Sequence, residues 1–423
     1  MLTISCGTKK QYCDGVSRRS FLKIGALGIG GMSLAGLYQA EAQAAVGSSH
    51  KAIINIHLGG GPSHQDMFDL KPDAPREFRG EFNPVSTNVP GLQICEHFPM
   101  LAQMADKFAV IRSLVGMHED HSDFHTQTGW GRNDLRNVGG RPSIGSVVAK
   151  LQGPNPNGSP PYIAYNGDYE GYLGPSYKAY RPQGGDLRLV GGVTEERLGN
   201  RTSLLTSLDK IRRDVDSSGK MNALDSFTQR AVGVVTSGKV ADALDLEKED
   251  IKVRERYGRD EGRMFLTARR LVESGVRAVT FNWGGWDTHG DNFNHLRRQL
   301  PNLDRGLSAL LQDLSDRGMD KDVTVVMWGE FGRTPRVNAG AGRDHWSRVA
   351  MGFLAGGGMR LGQAIGSSTA YAEEAKDRPV DLQEVFATLY HNMGIDVKKT
   401  QLIDPSGRPQ YLVNGFDPMK ELI

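Results

Sequence analysis

Carboxylates and imidazoles are concentrated in a few short runs of this chain. The first is Gly60-Gly61-Pro62-Ser63-His64-Gln65-Asp66, and the second His118-Glu119-Asp120-His121-Ser122-Asp123-Phe124-His125. The third is Trp286-Asp287-Thr288-His289-Gly290-Asp291. Gly329-Glu330-Phe331-Gly332-Arg333-Thr334-Pro335 is the fourth, with Gly342-Arg343-Asp344-His345-Trp346 close behind. Together they hold more than half of the 11 histidines. Imidazole nitrogens and carboxylate oxygens without thiolates form a donor set suited to divalent ions such as Zn²⁺, Mn²⁺, iron or Ca²⁺. Asp287 and His289 alternate in one polar loop, so both can reach a single ion. The competing role for any one of these histidines is a hydrogen bond that closes a strand end.

Rigid elements must position such runs, and the sequence supplies them. Ala52 to Leu58 reads as a buried strand stopped by Gly59-Gly60-Gly61-Pro62. Phe108 to Ser113, Arg277 to Trp283, Val323 to Trp328 and Val349 to Leu354 read as further strands. Ser143 to Leu151 has helical spacing with Ser143 suited to the N-cap. An anion at that helix start is the other use of Ser143-Ile144-Gly145, and the cap is preferred. Residues 262–275, His295 to Leu314 and Asp381 to Met393 also read as helices, the second with Leu296, Leu300, Leu303, Leu307, Leu310 and Leu314 on one face. Pro301 kinks or begins that helix. Strands alternating with helices predict an α/β sandwich whose mostly parallel central sheet is covered on both faces. In such sheets ligands collect beyond the carboxyl ends of strands, which is where the four runs fall. Gly153 to Gly192 reads as a surface excursion, and 200–250 as a solvated helical insertion.

The composition is that of a globular protein: 38 % hydrophobic, 24 % charged, net charge +2 over 423 residues. So balanced a charge gives no electrostatic reason to expect nucleic acid as a partner. Ser17-Arg18-Arg19-Ser20-Phe21-Leu22-Lys23, an apolar stretch from Ile24 to about Tyr38 and Ala42-Gln43-Ala44 form a twin-arginine export signal over residues 1–44. The apolar stretch is too short and too weakly apolar for a membrane span. The expectation is a single α/β domain from 45 to 423, exported through the twin-arginine translocase to the periplasm or beyond. Cys95 is the one cysteine left after residue 44, which excludes an intramolecular disulfide there.

The block from Trp286 to Trp346 resembles the metal-binding half of the alkaline phosphatase superfamily, which includes sulfatases and phosphomutases. Asp287, His289, Glu330 and His345 match the order of its metal ligands, and Asp66 matches its early aspartate. More closely, Gly-Pro-Ser-x-x-Asp at Gly61, Gly-Glu-Phe-Gly-Arg-Thr-Pro at Gly329 and Gly-Arg-Asp-His-Trp at Gly342 are similar to the DUF1501 family, over about Ala52 to Ile423. The resemblance implies an alkaline phosphatase-like three-layer sandwich and ester hydrolysis at phosphorus or sulfur assisted by two divalent ions. Asp287, His289 and His345 would hold the first ion, Asp66 and Glu330 the second. Arg333 and Arg343 would grip the anionic ester, their alternative being carboxylate partners.

Two departures bear on activity. The superfamily shows Asp-His where this chain has Glu330-Phe331, so the second ion lacks a histidine. Counting back about ten residues from Thr128-Gly129, where the resemblance implies the nucleophile, reaches Glu119, with Ser122 the nearby hydroxyl. Glu119 could then act as a general base or a ligand, and water could attack in place of Ser122. No Cys-x-Pro-x-Arg occurs, which argues against a formylglycine sulfatase. The sequence thus predicts an exported metal-dependent hydrolase of a small phosphate or sulfate ester or a sulfated or phosphorylated glycan. The alternative is a non-catalytic, metal-containing binding or assembly protein on the same fold. Trp283, Trp286, Trp328 and Trp346 flank the expected site, as core packing rather than as sugar-stacking platforms.

Overall fold

Short apolar runs punctuated by glycine become the strands of one eight-stranded sheet in the computed structural model, which describes residues 51–153, 155, 158–182 and 238–423. The expected export signal, residues 183–192 of the excursion and most of the expected insertion, up to 237, lie outside the described residues. The sheet strands are β1 (Ala52–Leu58), β2 (Phe108–Val115), β3 (Tyr162–Ala164), β4 (Ala278–Trp283), β5 (Val323–Trp328), β6 (Ala350–Gly356), β7 (Gln363–Ile365) and β8 (Val380–Asp381). Their order is β7-β2-β6-β5-β1-β4-β3, with β8 paired to β2. All pairs are parallel except those of β6, which is antiparallel to both β5 and β2. The expectation of a mostly parallel sheet holds.

The principal helices are α1 (Phe124–Thr128), α2 (Ile144–Gln152), α3 (Gly262–Glu273), α4 (Asn292–Asp316) and α5 (Leu382–Asn392). Side chains alternate across a strand, so β1 sends Ile54, Ile56 and Leu58 to one face and Ile53, Asn55 and His57 to the other. The first face packs on α3 and α4 through Phe265, Leu271, Leu296, Leu303, Leu307 and Leu310. On the opposite face Ile53 joins Val147 and Val148 of α2 and Val385, Phe386 and Leu389 of α5. The result is a three-layer α/β sandwich. Ser143 caps α2 by accepting from the Ser146 amide, and Asp381 caps α5 through the Gln383 amide.

Two expectations need correction. Of the two readings of Pro301 the second fails: it does not begin α4 but sits on the exposed side, nine residues into a helix of 25. The missing amide hydrogen bond falls on the solvent side, where water can satisfy the freed carbonyl. The excursion from Gly153 is not all surface, because Tyr162–Ala164 pairs in parallel with β4 and is fully buried. Among the described residues no helix is long and apolar enough to cross a membrane. Burial pushes the Cys95 thiol up to about 12, so it is an inert core residue.

Candidate metal centre

The topology brings the polar runs together at one edge of the sheet. Strands β5, β1 and β4 are adjacent and parallel, in register at His57↔Trp328 and Leu58↔Trp283. Their carboxyl ends therefore release Gly59–Asp66, Gly284–Asp291 and Gly329–Arg333 side by side. Strand β2 runs the same way and delivers His118–His125. Because β6 is antiparallel, the segment before it, His345–Val349, lies at this edge rather than the one after it.

Glu330 is the buried anchor. Gly60 and Gly61 have left-handed φ values of 111° and 67°, and their consecutive amides donate to its two carboxylate oxygens at 2.8 and 3.1 Å. A Cβ on Gly60 would lie 2.4 Å from the Asp287 amide nitrogen, and one on Gly61 2.3 Å from the Phe331 ring, so both positions demand glycine. His57, near the end of β1, places Nε2 3.2 Å from Glu330 Oε2, and His121 Nδ1 lies 3.2 Å from Oε1. Burial opposes ionisation of Glu330, but His57 and the glycine amides outweigh it and hold the carboxyl down to about 2. His125 turns Nε2 onto the Glu330 carbonyl oxygen at 2.6 Å, while burial keeps its ring neutral with a value lowered to about 4.

Next to this anchor three ligand-type atoms converge. His289 Nε2 is 3.1 Å from Asp287 Oδ1 and 3.1 Å from His345 Nε2, and His345 Nε2 is 3.2 Å from the same Asp287 oxygen. Donors around a tetrahedral Zn²⁺ at its usual bond lengths sit about 3.3 Å apart, so these separations fit such an ion. His121 Nε2 closes the group at 3.3 Å from Asp287 Oδ2, and His121, Asp287 and His345 all present donors within 4.8 Å of one another. His121 thus stands between Asp287 and Glu330, one nitrogen on each. His289 is oriented from behind, its Nδ1 2.7 Å from Asp344 Oδ1, the carboxylate–imidazole arrangement that fixes a metal-ligating tautomer. The His289 contact also holds the Asp344 carboxyl below its ordinary value. Burial works against the charge on Asp287, yet the Arg333 guanidinium 2.5 Å away keeps its carboxyl below the usual range.

The two arginines do not face a ligand. Arg333 is fully buried and donates to the carbonyls of Gly60, Gly61, Trp286 and Arg343 as well as to Asp287. Arg343, equally buried, forms a two-pronged pair with Asp66, Nε to Oδ2 at 2.8 Å and Nη2 to Oδ1 at 2.9 Å. Its other donors go to the carbonyls of Thr334, Pro335 and Phe78. Of the two roles open to these arginines, the structure therefore places them in the one with carboxylate partners. Asp66 is also met by Ser63 Oγ at 2.5 Å and Asn292 Nδ2 at 2.9 Å. Asp66 is held by Arg343, Ser63 and Asn292, none of which contacts Glu330, so the expected Asp66–Glu330 pair is not joined in one cluster among the described residues.

Ser122 and Glu119 stand on the flank. The Ser122 hydroxyl accepts from the Phe124 amide at 3.3 Å, and Glu119 Oε1 accepts from Ser347 Oγ at 2.9 Å. Both line an open cavity of about 600 Å³ with His118, Asp120, His125 and Arg132. His121, in the same turn, points instead into the histidine cluster. Phe331, which departs from the motif order the resemblance implied, is buried against His345 with ring centroids 4.1 Å apart, and packs beside that ring as a wall. Trp286 and Trp328 are fully buried and Trp283 nearly so, in keeping with packing.

Sequence reading missed His57 and underused His121. The signal for His57 was a lone ionisable residue inside an apolar strand, one position before its carboxyl end.

Comparisons with known proteins give the following. The PsFucS1 sulfatase from Pseudoalteromonas sp. has a TM-score of 0.41 at 11% identity, covering 90% of this chain and 72% of that one. The lipoteichoic acid synthase LtaP from Listeria monocytogenes has a TM-score of 0.35 at 9% identity, with 84% and 78% covered. Ps i-CgsB in complex with k-i-k-neocarrahexaose has 0.33 at 10%, with 82% and 72% covered. No curated protein matches the chain. Residues 50–423 match the family described as "Protein of unknown function (DUF1501)", and the chain belongs to that family.

Proposed function

We propose that this protein is an exported, metal-dependent hydrolase of a phosphate or sulfate ester. The observation that carries the reading is the convergence of Asp287 Oδ1, His289 Nε2 and His345 Nε2 at 3.1 to 3.2 Å. Two imidazole nitrogens turned toward each other at that distance, beside a carboxylate, are a donor set that accepts a cation. Asp287, His289 and His345 would hold one divalent ion. His57, Glu330 and His121 are the residues that would take a second, in place of the Asp66 that the motif order implied. Such ions, when bound, supply Lewis-acid stabilisation of ester oxygens and activation of water.

The chain's own groups do the rest. Arg333 braces Asp287 and the Gly60-Gly61 turn at once, so the ligands from three strand ends keep one geometry. Asp344 holds His289 in the tautomer that presents Nε2. Glu119 and Ser122 border the adjoining cavity, where Ser122 is the nearest hydroxyl for attack and Glu119 a carboxylate able to take a proton. The twin-arginine signal supports folding and metal loading before export.

A second reading is a non-catalytic binding protein that keeps its metal for structure. One observation favours it: both expected ester-gripping arginines are buried and occupied by protein partners. Metal analysis of the purified protein, with turnover measured on aryl phosphates and aryl sulfates, separates the two. Metal without turnover on any ester supports the binding protein; absence of metal overturns both.

A further inference from the structure

With Arg333 and Arg343 occupied in the interior, recognition of substrate charge must come from elsewhere. A second cavity, of about 510 Å³, is lined by Phe124, Arg132, Arg136, Gly139, Gly140 and Tyr169. It shares Phe124 and Arg132 with the cavity beside the histidine cluster, so the two adjoin. Its lining contains two guanidinium groups and no carboxylate. Of the acids around it, Asp134 pairs with Arg141 at 2.9 Å and Asp123 accepts the Tyr169 hydroxyl at 2.5 Å, while Glu119 and Asp120 line the adjoining cavity. The side chains of Arg132 and Arg136 make no hydrogen bond or ion pair among the described residues.

The backbone brings this pair of exposed side chains to one rim. Leu135 at φ 52°, Gly139 at 108° and Gly140 at 81° are left-handed positions that fold 132–140 into a tight turn. Gly140 accepts the Tyr172 amide at 2.8 Å, and the Ser143 amide donates to the Tyr169 carbonyl at 2.7 Å, which ties the turn to the opposite wall. That wall carries Phe124 and Tyr169, packed edge to face with centroids 4.8 Å apart. Aromatic surface beside two arginines without an ion pair among the described residues suits a ring that bears an anionic group. The volume is ordinary for a ligand site.

We propose that this cavity is a subsite for a second sulfate or phosphate group, so that the substrate is a polyanionic sugar ester rather than a simple monoester. The proposal rests on the hydrolase reading for its first site, the histidine cluster, but its own binding is tested separately. Titration calorimetry would compare a disulfated disaccharide with its monosulfated form, and a bisphosphorylated sugar with its monophosphate. The metal-loaded protein is expected to bind the doubly charged member of a pair about tenfold more tightly, the size of one charge-assisted contact. Arg132→Ala with Arg136→Ala should remove that preference and leave metal content and melting temperature unchanged. Lysine at both positions should restore part of it, since charge remains but the planar fork does not. Equal affinity for both members in the unaltered protein, or a preference that persists in the double alanine variant, would overturn the subsite. Hydrolysis measured on the same compounds keeps the two ideas apart. A charge preference without turnover overturns the hydrolase reading and leaves the subsite standing.

Discussion

His289 Nε2 and His345 Nε2 face each other across 3.1 Å, although 56 residues separate them in the chain. Only one of two neutral imidazoles can donate in such a contact, and two imidazolium rings would repel. A cation held by both lone pairs would be the alternative to one N–H···N hydrogen bond, and metal analysis separates the two. His289→Ala and His345→Ala should each lower bound metal by most of one equivalent, as read by elemental analysis of the purified protein. Full metal content in both variants would leave these rings as hydrogen-bonding residues.

Asp66 and Arg343 form a fully buried pair, and breaking it leaves one charge uncompensated. Asp66→Ala should therefore cost about 3–5 kcal/mol of stability. Metal content, measured at a temperature where the variant is folded, should stay intact. Loss of a metal equivalent without loss of stability would return Asp66 to the ligand set.

Much of the fold was legible because its signals are local. The bounds of β1 and β5 follow from apolar runs closed by glycine, and Ser143 and Asp381 cap helices as their positions suggest. Tyr162–Ala164 was illegible because three residues between prolines and glycines carry no period; its pairing with β4 makes it a strand. The site was legible in part. Asp287 and His289 come together as their spacing suggested, and His345 joins them as the resemblance implied. The partner of Asp66 lies 277 positions away, and nothing in spacing distinguishes an arginine that binds substrate from one that neutralises a buried carboxylate.

His64 offers a test of stability against pH. It is fully buried, neither ring nitrogen has a hydrogen-bond partner among the described residues, and burial, with Lys71 and Arg343 nearby, lowers its value to about 3. The unfolded chain takes up a proton there near pH 6.5 while the folded one does not. Stability contributed by the neutral ring is thus complete above about 6.5 and lost as pH falls toward 3, at about 1.4 kcal/mol per unit. His64→Leu should flatten that loss by one proton's worth in denaturant melts between pH 6.5 and 5. An unchanged slope would show that His64 finds a partner in solution.

Export is tested in cells. Replacing Arg18 and Arg19 together with lysine should leave the precursor in the cytoplasm, detected by fractionation and immunoblotting. Normal export of the double variant would rule out the twin-arginine route.

The attacking group decides how the cavity beside the cluster is used. Ser122 lines it, but its hydroxyl accepts the Phe124 amide. No hydrogen bond joins Ser122 to Asp287, His289 or His345 among the described residues. If Ser122 nevertheless attacks, Ser122→Ala should abolish turnover and leave metal content unchanged, and rapid-quench labelling should trap a phosphoryl or sulfuryl group on the protein. If water attacks, Ser122→Ala should reduce kcat less than about tenfold and no labelled protein should accumulate. Glu119→Gln then becomes the sharper probe. Glu119 is held 2.9 Å from Ser347 Oγ, and loss of its basicity without loss of its hydrogen bond should lower kcat by on the order of 10²-fold if it accepts the proton. The hydrogen-bonded Ser122 favours water, because the hydroxyl is the one group that only a covalent route would need. Full activity in both variants would move the chemistry to the His57–Glu330–His121 side of the cluster, where His121→Ala is the next measurement.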